Sequence, residues 1–184
     1  MAPRAIGLIN LFRSHGGTAD VLTSCFIDPN KILMSRNFSS KFDTIDPDTL
    51  LDQAMAGIQA SQRVFVIGHS YGGWLAMKIA ERFAGQREGQ LEGLITIDAI
   101  SWKDCTYSNW RNCLAAPRDF SKESLDRVKA NTRHWANYYQ TTTPYLHSGA
   151  IAQADVNLEL DASHFTIDTN EAVWRHADRM LNEN

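Results

Sequence analysis

The chain has 184 residues, of which 18 are basic and 21 acidic, and 43% of its residues are hydrophobic. The formal charge of −3 and the lack of a basic cluster in the sequence argue against nucleic-acid or anionic-membrane partners, because both depend on clustered cations. No apolar run approaches the roughly 18 residues that cross a bilayer, and no secretory signal is evident, so we predict one globular domain over residues 1–184, located in the cytoplasm.

Short β-prone runs alternate with helical patterns in the first half of the chain. The runs lie at 5–11, 31–35, 63–67 and 91–97. Between them, residues 46–58 and 74–84 repeat apolar side chains along one helical face. Neighbouring parallel strands need a long crossover, which a helix supplies, so this alternation predicts a parallel sheet with helices on its faces.

The second half of the chain is less regular. Aromatic side chains among polar ones at 101–120 indicate an excursion from the sheet. Ser121 is predicted to cap a helix that continues through Trp135, and a fifth strand is expected at 138–143. Residues 156–160 alternate like a strand, and the capping-box pattern at 168–171 predicts a last helix through Leu181.

The pentapeptide Gly-His-Ser-Tyr-Gly at 68–72 directly follows an apolar run and leads into a helical pattern. A strand that turns sharply into a helix brings its flanking residues into collision, which Gly68 and Gly72 avoid. The hydroxyl of Ser70 is thereby held clear of the sheet. The backbone amide of Tyr71, close to the helix N-terminus, is placed to face a developing oxyanion.

Residues 67–76, Ile-Gly-His-Ser-Tyr-Gly-Gly-Trp-Leu-Ala, resemble the nucleophile elbow of the α/β-hydrolase superfamily of serine esterases, lipases and thioesterases. The resemblance extends over nearly the whole chain. It implies a compact α/β-hydrolase fold, with a mostly parallel sheet of about five to six strands and helices on both faces. It also makes 6–11 the strand before the oxyanion loop, so that the backbone amide of Phe12 is the second oxyanion donor.

A serine nucleophile needs a base, usually an imidazole that a carboxylate orients. His164 follows the last β-like run, precedes the final helix and comes after the serine, as the superfamily's chain order requires; His147 is the fallback. Asp98 ends the strand after the elbow helix, at the carboxyl edge where open α/β sheets gather ligands. It is the preferred acid, with Asp155 and Asp161 as alternatives.

These residues predict a serine hydrolase that cleaves small-molecule carboxylic esters or thioesters through an acyl-enzyme on Ser70. A catalytically silent binding protein of the same fold and an acyltransferase with the same triad are the alternatives. The sequence holds no metal-ligand spacing such as H-E-x-x-H and no phosphate-binding G-x-x-x-x-G-K, so no metal or cofactor is predicted.

The segment 101–134 is interpreted as a short lid or pocket-lining excursion, because its first aromatics follow Asp98 directly. Trp102 and Trp110 are then predicted to line an apolar acyl pocket, and packing of these rings onto the core is the alternative. Cys105 and Cys113 are expected to be free thiols, unless an oxidising compartment joins them as a loop disulfide.

Overall fold

The computed structural model describes residues 6–13, 31–38, 52, 63–86, 90–101, 114–144 and 146–182. Strands and helices alternate there as the hydrophobic pattern predicts. The strands are β1 (Ile6–Arg13), β2 (Lys31–Phe38), β3 (Arg63–His69), β4 (Leu91–Ile97), β5 (Ile100–Ser101), β6 (Leu114–Ala115), β7 (Thr132–Tyr139) and β8 (Val156–Glu159). The helices are α1 (Tyr71–Gln86), α2 (Lys122–Ala130) and α3 (Glu171–Asn182), with 3-10 turns at Ala116–Asp119 and Ile167–Thr169.

Six strands form one parallel sheet in the order β2-β1-β3-β4-β7-β8, and β5 pairs with β6 in a separate antiparallel ribbon. The four β-prone runs of the first half correspond to β1 to β4, so the predicted mostly parallel sheet of five to six strands is confirmed. Because the strands are parallel, the residues that follow β3, β4, β7 and β8 all emerge at the same carboxyl edge.

Helices cover both faces of the sheet, which is why its central strands are apolar on both sides. On β3, Val64 and Val66 pack with α1 and α2 in one cluster, whereas Phe65 and Ile67 pack with α3 in another. This alternation follows from the period of two along a strand. Each such side chain contributes about 2 kcal/mol when fully buried, so the two layers fix the sheet as a rigid base for its loops.

The helix predicted from Ser121 through Trp135 is shorter in the structure. Ser121 is the N-cap, and its Oγ accepts from the N–H of Ser124 at 3.1 Å, but the helix ends at Ala130. The chain then enters β7 at Thr132, six residues before the predicted fifth strand, and Trp135 is a buried strand residue. A strand position that faces the core satisfies the same apolar side chain, and the helical period could not distinguish the two.

The last helix also begins later than its capping pattern predicts. Asp168 lies in the preceding 3-10 turn, and the Oδ1 of Asn170 accepts the N–H of Ala172 at 2.9 Å. Asn170 therefore caps the helix that starts at Glu171. Both residue types favour helix N-caps, so composition could not decide between them.

The segment 101–134 divides into two parts. Its second part contains α2, whose Leu125 and Val128 are buried in the core, and the start of β7. The lid or pocket prediction thus concerns 102–113, which lie outside the described residues together with Trp102, Trp110 and both cysteines. The predicted helix at 46–58 lies outside them as well, except for residue 52, which is helical. Of the helices described, none combines the length and apolar character needed to traverse a bilayer.

Candidate active site

Ser70 occupies a sharp turn between β3 and α1. Its φ is 60°, in the left-handed region that non-glycine residues rarely adopt. The turn is held by backbone hydrogen bonds: the N–H of Ser70 donates to the carbonyl of Ile97 at 3.0 Å, and its own carbonyl accepts from Gly73 at 3.0 Å and Ile100 at 3.1 Å. The elbow is therefore built against the end of β4, which also carries the predicted acid.

Glycine is required at position 68 because the first turn of the helix lies directly against it. A Cβ built on Gly68 would stand 2.2 Å from the carbonyl oxygen of Gly72 and 2.5 Å from its carbon. Backbone atoms cannot yield as the end of a flexible side chain can. The pattern of glycines in the motif thus has the steric cause that the sequence predicts.

Asp98 follows β4 directly and has a φ of 41°, a second left-handed residue at the same edge. Its N–H donates to the carbonyl of Tyr138 on β7 at 2.7 Å, which extends the pairing of the two strands into the turn. The carboxylate is fully buried, and it accepts from the N–H of Ser148 through Oδ1 at 2.8 Å and from Nε2 of Gln140 through Oδ2 at 2.7 Å. Those donors compensate the loss of water around a buried charge.

His164 lies in the loop between β8 and α3 and joins the other two residues. Its Nδ1 is 2.7 Å from Oδ2 of Asp98, and its Nε2 is 2.9 Å from Oγ of Ser70. The backbone N–H of His164 donates to Oγ1 of Thr143 at 3.0 Å, which fixes the loop next to the end of β7. The structure thus brings together the three residues that the sequence singled out as nucleophile, base and acid.

The hydrogen-bond partners determine the histidine tautomer. An ionised carboxylate can only accept, so Nδ1 of His164 carries the ring proton that points to Asp98. The lone pair of Nε2 is then free to accept the hydroxyl proton of Ser70. Ser70 and His164 are each 1% exposed and Asp98 is 0% exposed, so these interactions act in a low-dielectric environment that strengthens them.

His69 supports the base from beneath and was considered merely structural in the sequence. Its Nε2 donates to the backbone carbonyl of His164 at 2.9 Å, the two rings lie 5.0 Å apart, and its Nδ1 is 3.7 Å from Oδ2 of Asp168. A carbonyl only accepts, so the proton resides on Nε2 of His69. Its position immediately before the nucleophile was the only signal in the sequence.

The two predicted oxyanion donors lie on neighbouring elements. Tyr71 is the first residue of α1, and the first N–H groups of a helix lack partners within it. Phe12 lies in β1, one residue past Leu11, which pairs with Gly68. Since β1 continues to Arg13, Phe12 is a strand residue beside the elbow rather than the first residue after the strand. Its role as a donor stays a prediction.

The alternative acids and base are placed elsewhere. Asp155 precedes β8 at the amino edge of the sheet, 2.6 Å from Nζ of Lys129, and accepts the N–H of Trp135 at 2.8 Å. Partial burial acts to raise the pKa of Asp155, but the donors from Lys129 and Trp135 outweigh it and hold the pKa below its ordinary value. Asp161 is exposed and His147 is half-buried; neither has a described hydrogen bond to Ser70 or His164.

Among the described residues, no group of three or more His, Cys, Asp or Glu side chains is arranged to hold a metal ion. The chemistry that the described geometry supports therefore belongs to the side chains themselves: a hydroxyl, an imidazole and a carboxylate in a hydrogen-bonded chain.

Comparisons with known proteins give a consistent result at the level of structure. No protein-family model matches the sequence, and no curated protein matches it. Among solved structures, human thioesterase 2 is similar with a TM-score of 0.58 and 12% identity, covering 96% of this chain and 94% of that one. YbtT, a type II thioesterase from the yersiniabactin NRPS/PKS biosynthetic pathway, has a TM-score of 0.58 and 11% identity, with 98% and 94% coverage. Est1E from Butyrivibrio proteoclasticus with bound ferulic acid has a TM-score of 0.56 and 12% identity, with 99% and 92% coverage. Likeness at this level of identity establishes a shared fold.

Proposed function

We propose that this chain, whose fold is that of the α/β-hydrolases, is a serine hydrolase that cleaves carboxylic esters or thioesters through an acyl-enzyme on Ser70. The observation that carries the proposal is the continuous hydrogen-bonded chain from Ser70 Oγ through the ring of His164 to Asp98, with separations of 2.9 and 2.7 Å. The three residues come from three different loops at one sheet edge. A purely structural serine has no need of such an arrangement.

In the first half of the reaction, Oγ of Ser70 attacks the acyl carbonyl carbon while its proton passes to Nε2 of His164. The imidazolium that forms is stabilised by the carboxylate of Asp98 on the opposite side of the ring. The tetrahedral intermediate then collapses, the bond to the leaving group breaks, and the proton on Nε2 goes to the departing oxygen or sulfur. An alcohol or thiol leaves, and the acyl group remains on Ser70 as an ester.

In the second half, water takes the place of the leaving group. His164 accepts a proton from the water as its oxygen attacks the acyl-enzyme, and it returns that proton to Oγ of Ser70 when the intermediate collapses. The carboxylic acid is released and the starting protonation state is restored. The same residues thus serve both half-reactions without an external acid or base.

The oxyanion of each tetrahedral intermediate needs donors in place before the charge develops. The N–H of Tyr71 at the N-terminus of α1 is suited to this, because the helix dipole adds a partial positive charge at that end. The amide of Phe12 on the neighbouring strand is the second donor in this proposal. Each such donor typically contributes about 3 kcal/mol to transition-state stabilisation.

The choice of esters and thioesters draws on the structural neighbours, among which are thioesterases and an esterase holding ferulic acid. Both substrate classes present an acyl carbonyl to the same nucleophile. They differ in the leaving group, since a thiol is a better leaving group than an alcohol and depends less on protonation by His164. A comparison of the two classes therefore bears on the substrate and on the use of the acid step.

The test is a panel of p-nitrophenyl esters and acyl thioesters of graded chain length, assayed for kcat/KM with the native protein, Ser70→Ala and His164→Ala. His134→Ala is the matched control, since His134 lies exposed on β7. We expect turnover that falls by about 10⁴-fold or more in the first two variants and is unchanged in the control. If native protein and Ser70→Ala turn over every member at the same rate, the proposal is wrong and a binding role with a silent triad replaces it.

A further inference from the structure

The residue that follows β7 is directed to the acid of the triad. β4 and β7 are neighbours in register, with Ile97 opposite Tyr138, so the residues just past their ends emerge side by side. Asp98 follows β4, and Gln140 follows Tyr139, the last residue of β7. Gln140 is 0% exposed. A glutamine side chain sealed inside the protein must have its polar atoms satisfied, and here they determine its orientation.

Both ends of the Gln140 amide are occupied. Nε2 donates to Oδ2 of Asp98 at 2.7 Å and to the carbonyl of Leu146 at 2.6 Å. Oε1 accepts from the N–H of Thr143 at 2.7 Å and from Oγ1 of Thr142 at 3.1 Å. All the partners on the Nε2 side can only accept and all those on the Oε1 side donate, so the flipped amide would set oxygen against oxygen. One orientation is therefore fixed.

The same amide closes the loop that follows β7 onto itself, and that loop touches the triad at two further points. Oγ1 of Thr143 accepts the backbone N–H of His164 at 3.0 Å, and the N–H of Ser148 donates to Oδ1 of Asp98 at 2.8 Å. Gln140 thus contacts the acid directly and, through the loop, organises the backbone partners of both the acid and the base.

We propose that Gln140 is a positioning residue that sets the geometry of the Asp98–His164 pair and tunes the proton affinity of the imidazole; this rests on the proposed function. Oδ2 of Asp98 is shared between Nε2 of Gln140 and Nδ1 of His164. A neutral donor on that oxygen disperses its charge and leaves less of it to stabilise the imidazolium. With the donor removed, the carboxylate would hold the proton on His164 more strongly, and the base would work only at higher pH.

The other groups that face His164 do not replace this control. Among the described residues they are Ser70 from the elbow, Asp98 from the end of β4, and His69 from β3, which lies 5.0 Å away ring to ring and bonds the carbonyl of His164. Asp168 stands behind His69 at 3.7 Å. Gln140 shares an acceptor oxygen with the ring of His164, so its removal changes the charge that the ring proton meets.

The test follows the ring of His164 by NMR in protein labelled with ¹³C at histidine Cε1, with His164→Gln as the assignment variant. Gln140→Met keeps the length of the side chain and removes its donor. We expect its His164 titration midpoint to rise by about 0.5–1 pH unit relative to wild type. Gln140→Glu is the second variant, for the case in which the methionine protein does not fold. Its added carboxyl group supplies a donor only while protonated, so its midpoint also rises.

Asn137→Leu is the matched control. Asn137 is a fully buried amide on the same strand that donates to the carbonyl of Gly149 and to Oδ1 of Asn157, without touching the triad. Its loss should reduce stability as the Gln140 variants do, while the His164 midpoint stays at the wild-type value. A wild-type midpoint in a folded Gln140 variant, or an equal shift in Asn137→Leu, overturns the proposal.

This readout needs no substrate, so it separates the two proposals. A shifted midpoint in a protein without Ser70-dependent turnover retains the positioning role of Gln140 and rejects the hydrolase. Where turnover is present, we expect Gln140→Met to lower kcat by about 10- to 100-fold with KM within about threefold, because the residue acts on the base rather than on substrate binding.

Discussion

The backbone of Ser70 offers a quantitative test of the elbow that is independent of any substrate. At φ 60°, a residue with a Cβ carries the steric cost of the left-handed conformation, about 1–2 kcal/mol, and glycine does not. We therefore compare Ser70→Ala with Ser70→Gly. Both variants lack the hydroxyl and its hydrogen bond to His164, so the lost bond cancels in the comparison.

Two opposing contributions set the expected difference. Replacing alanine by glycine at a buried site costs about 0.5–1 kcal/mol of backbone entropy and roughly 0.8 kcal/mol for the buried methyl group. At position 70 the relief of strain offsets this sum. We expect the two variants to have equal free energies of unfolding within about 0.5 kcal/mol. Ala136→Gly, at a buried position in the regular strand β7, should cost about 1.5 kcal/mol.

Urea denaturation followed by circular dichroism gives the free energy of unfolding by linear extrapolation. The informative quantity is the difference between the two sites, because it removes the parts that they share. The reasoning fails if Ser70→Gly is less stable than Ser70→Ala by as much as Ala136→Gly is less stable than wild type. In that case the left-handed backbone at position 70 would store no strain.

Three further outcomes follow from the geometry. Asp98→Asn should fold normally, because asparagine tolerates a φ of 41°, yet lower kcat by about 10³–10⁴-fold in the ester assay; a smaller loss than tenfold would remove Asp98 from the triad. Gly68→Ala should reduce the free energy of unfolding by about 3 kcal/mol or more through the contact with Gly72, whereas Gly149→Ala, which meets nothing within 4 Å, should leave the urea midpoint unchanged. Asp155→Asn should cost under about 1 kcal/mol at neutral pH, since its carboxylate is 41% exposed. Its pKa is lowered in the folded state, so the stabilisation is present above the ordinary carboxyl pKa and is lost as the pH falls below it; a deficit that persists at pH 2 would contradict the assignment.

Much of the fold could be predicted because its signals are local. The apolar runs that became β1 to β4 and the glycine-bounded turn at 68–72 carry their own explanation in the sequence, and the predicted α/β-hydrolase fold is confirmed. The boundary between α2 and β7 was misplaced, since Trp135 fits the apolar face of a helix and also the core face of a strand. Only pairing with β4 decides between them, and pairing is not local.

That misplaced boundary concealed a part of the site. With the fifth strand expected at 138–143, Gln140 fell inside a strand and attracted no attention. With β7 ending at Tyr139, it becomes the first residue past the carboxyl edge, where side chains from neighbouring parallel strands meet. The meeting of Ser70, Asp98 and His164 could be anticipated only from chain order and strand ends. The contact itself depends on the parallel order of β3, β4, β7 and β8.

The nucleophilicity of Ser70 is the central claim, and covalent labelling tests it most directly. A fluorophosphonate reacts with a serine whose proton a neighbouring base can remove. After incubation with the folded protein, mass spectrometry should find one adduct per chain, located on the peptide that contains Ser70, and none on Ser70→Ala. A folded native protein that stays unlabelled, or that carries the adduct on another residue, would contradict the account.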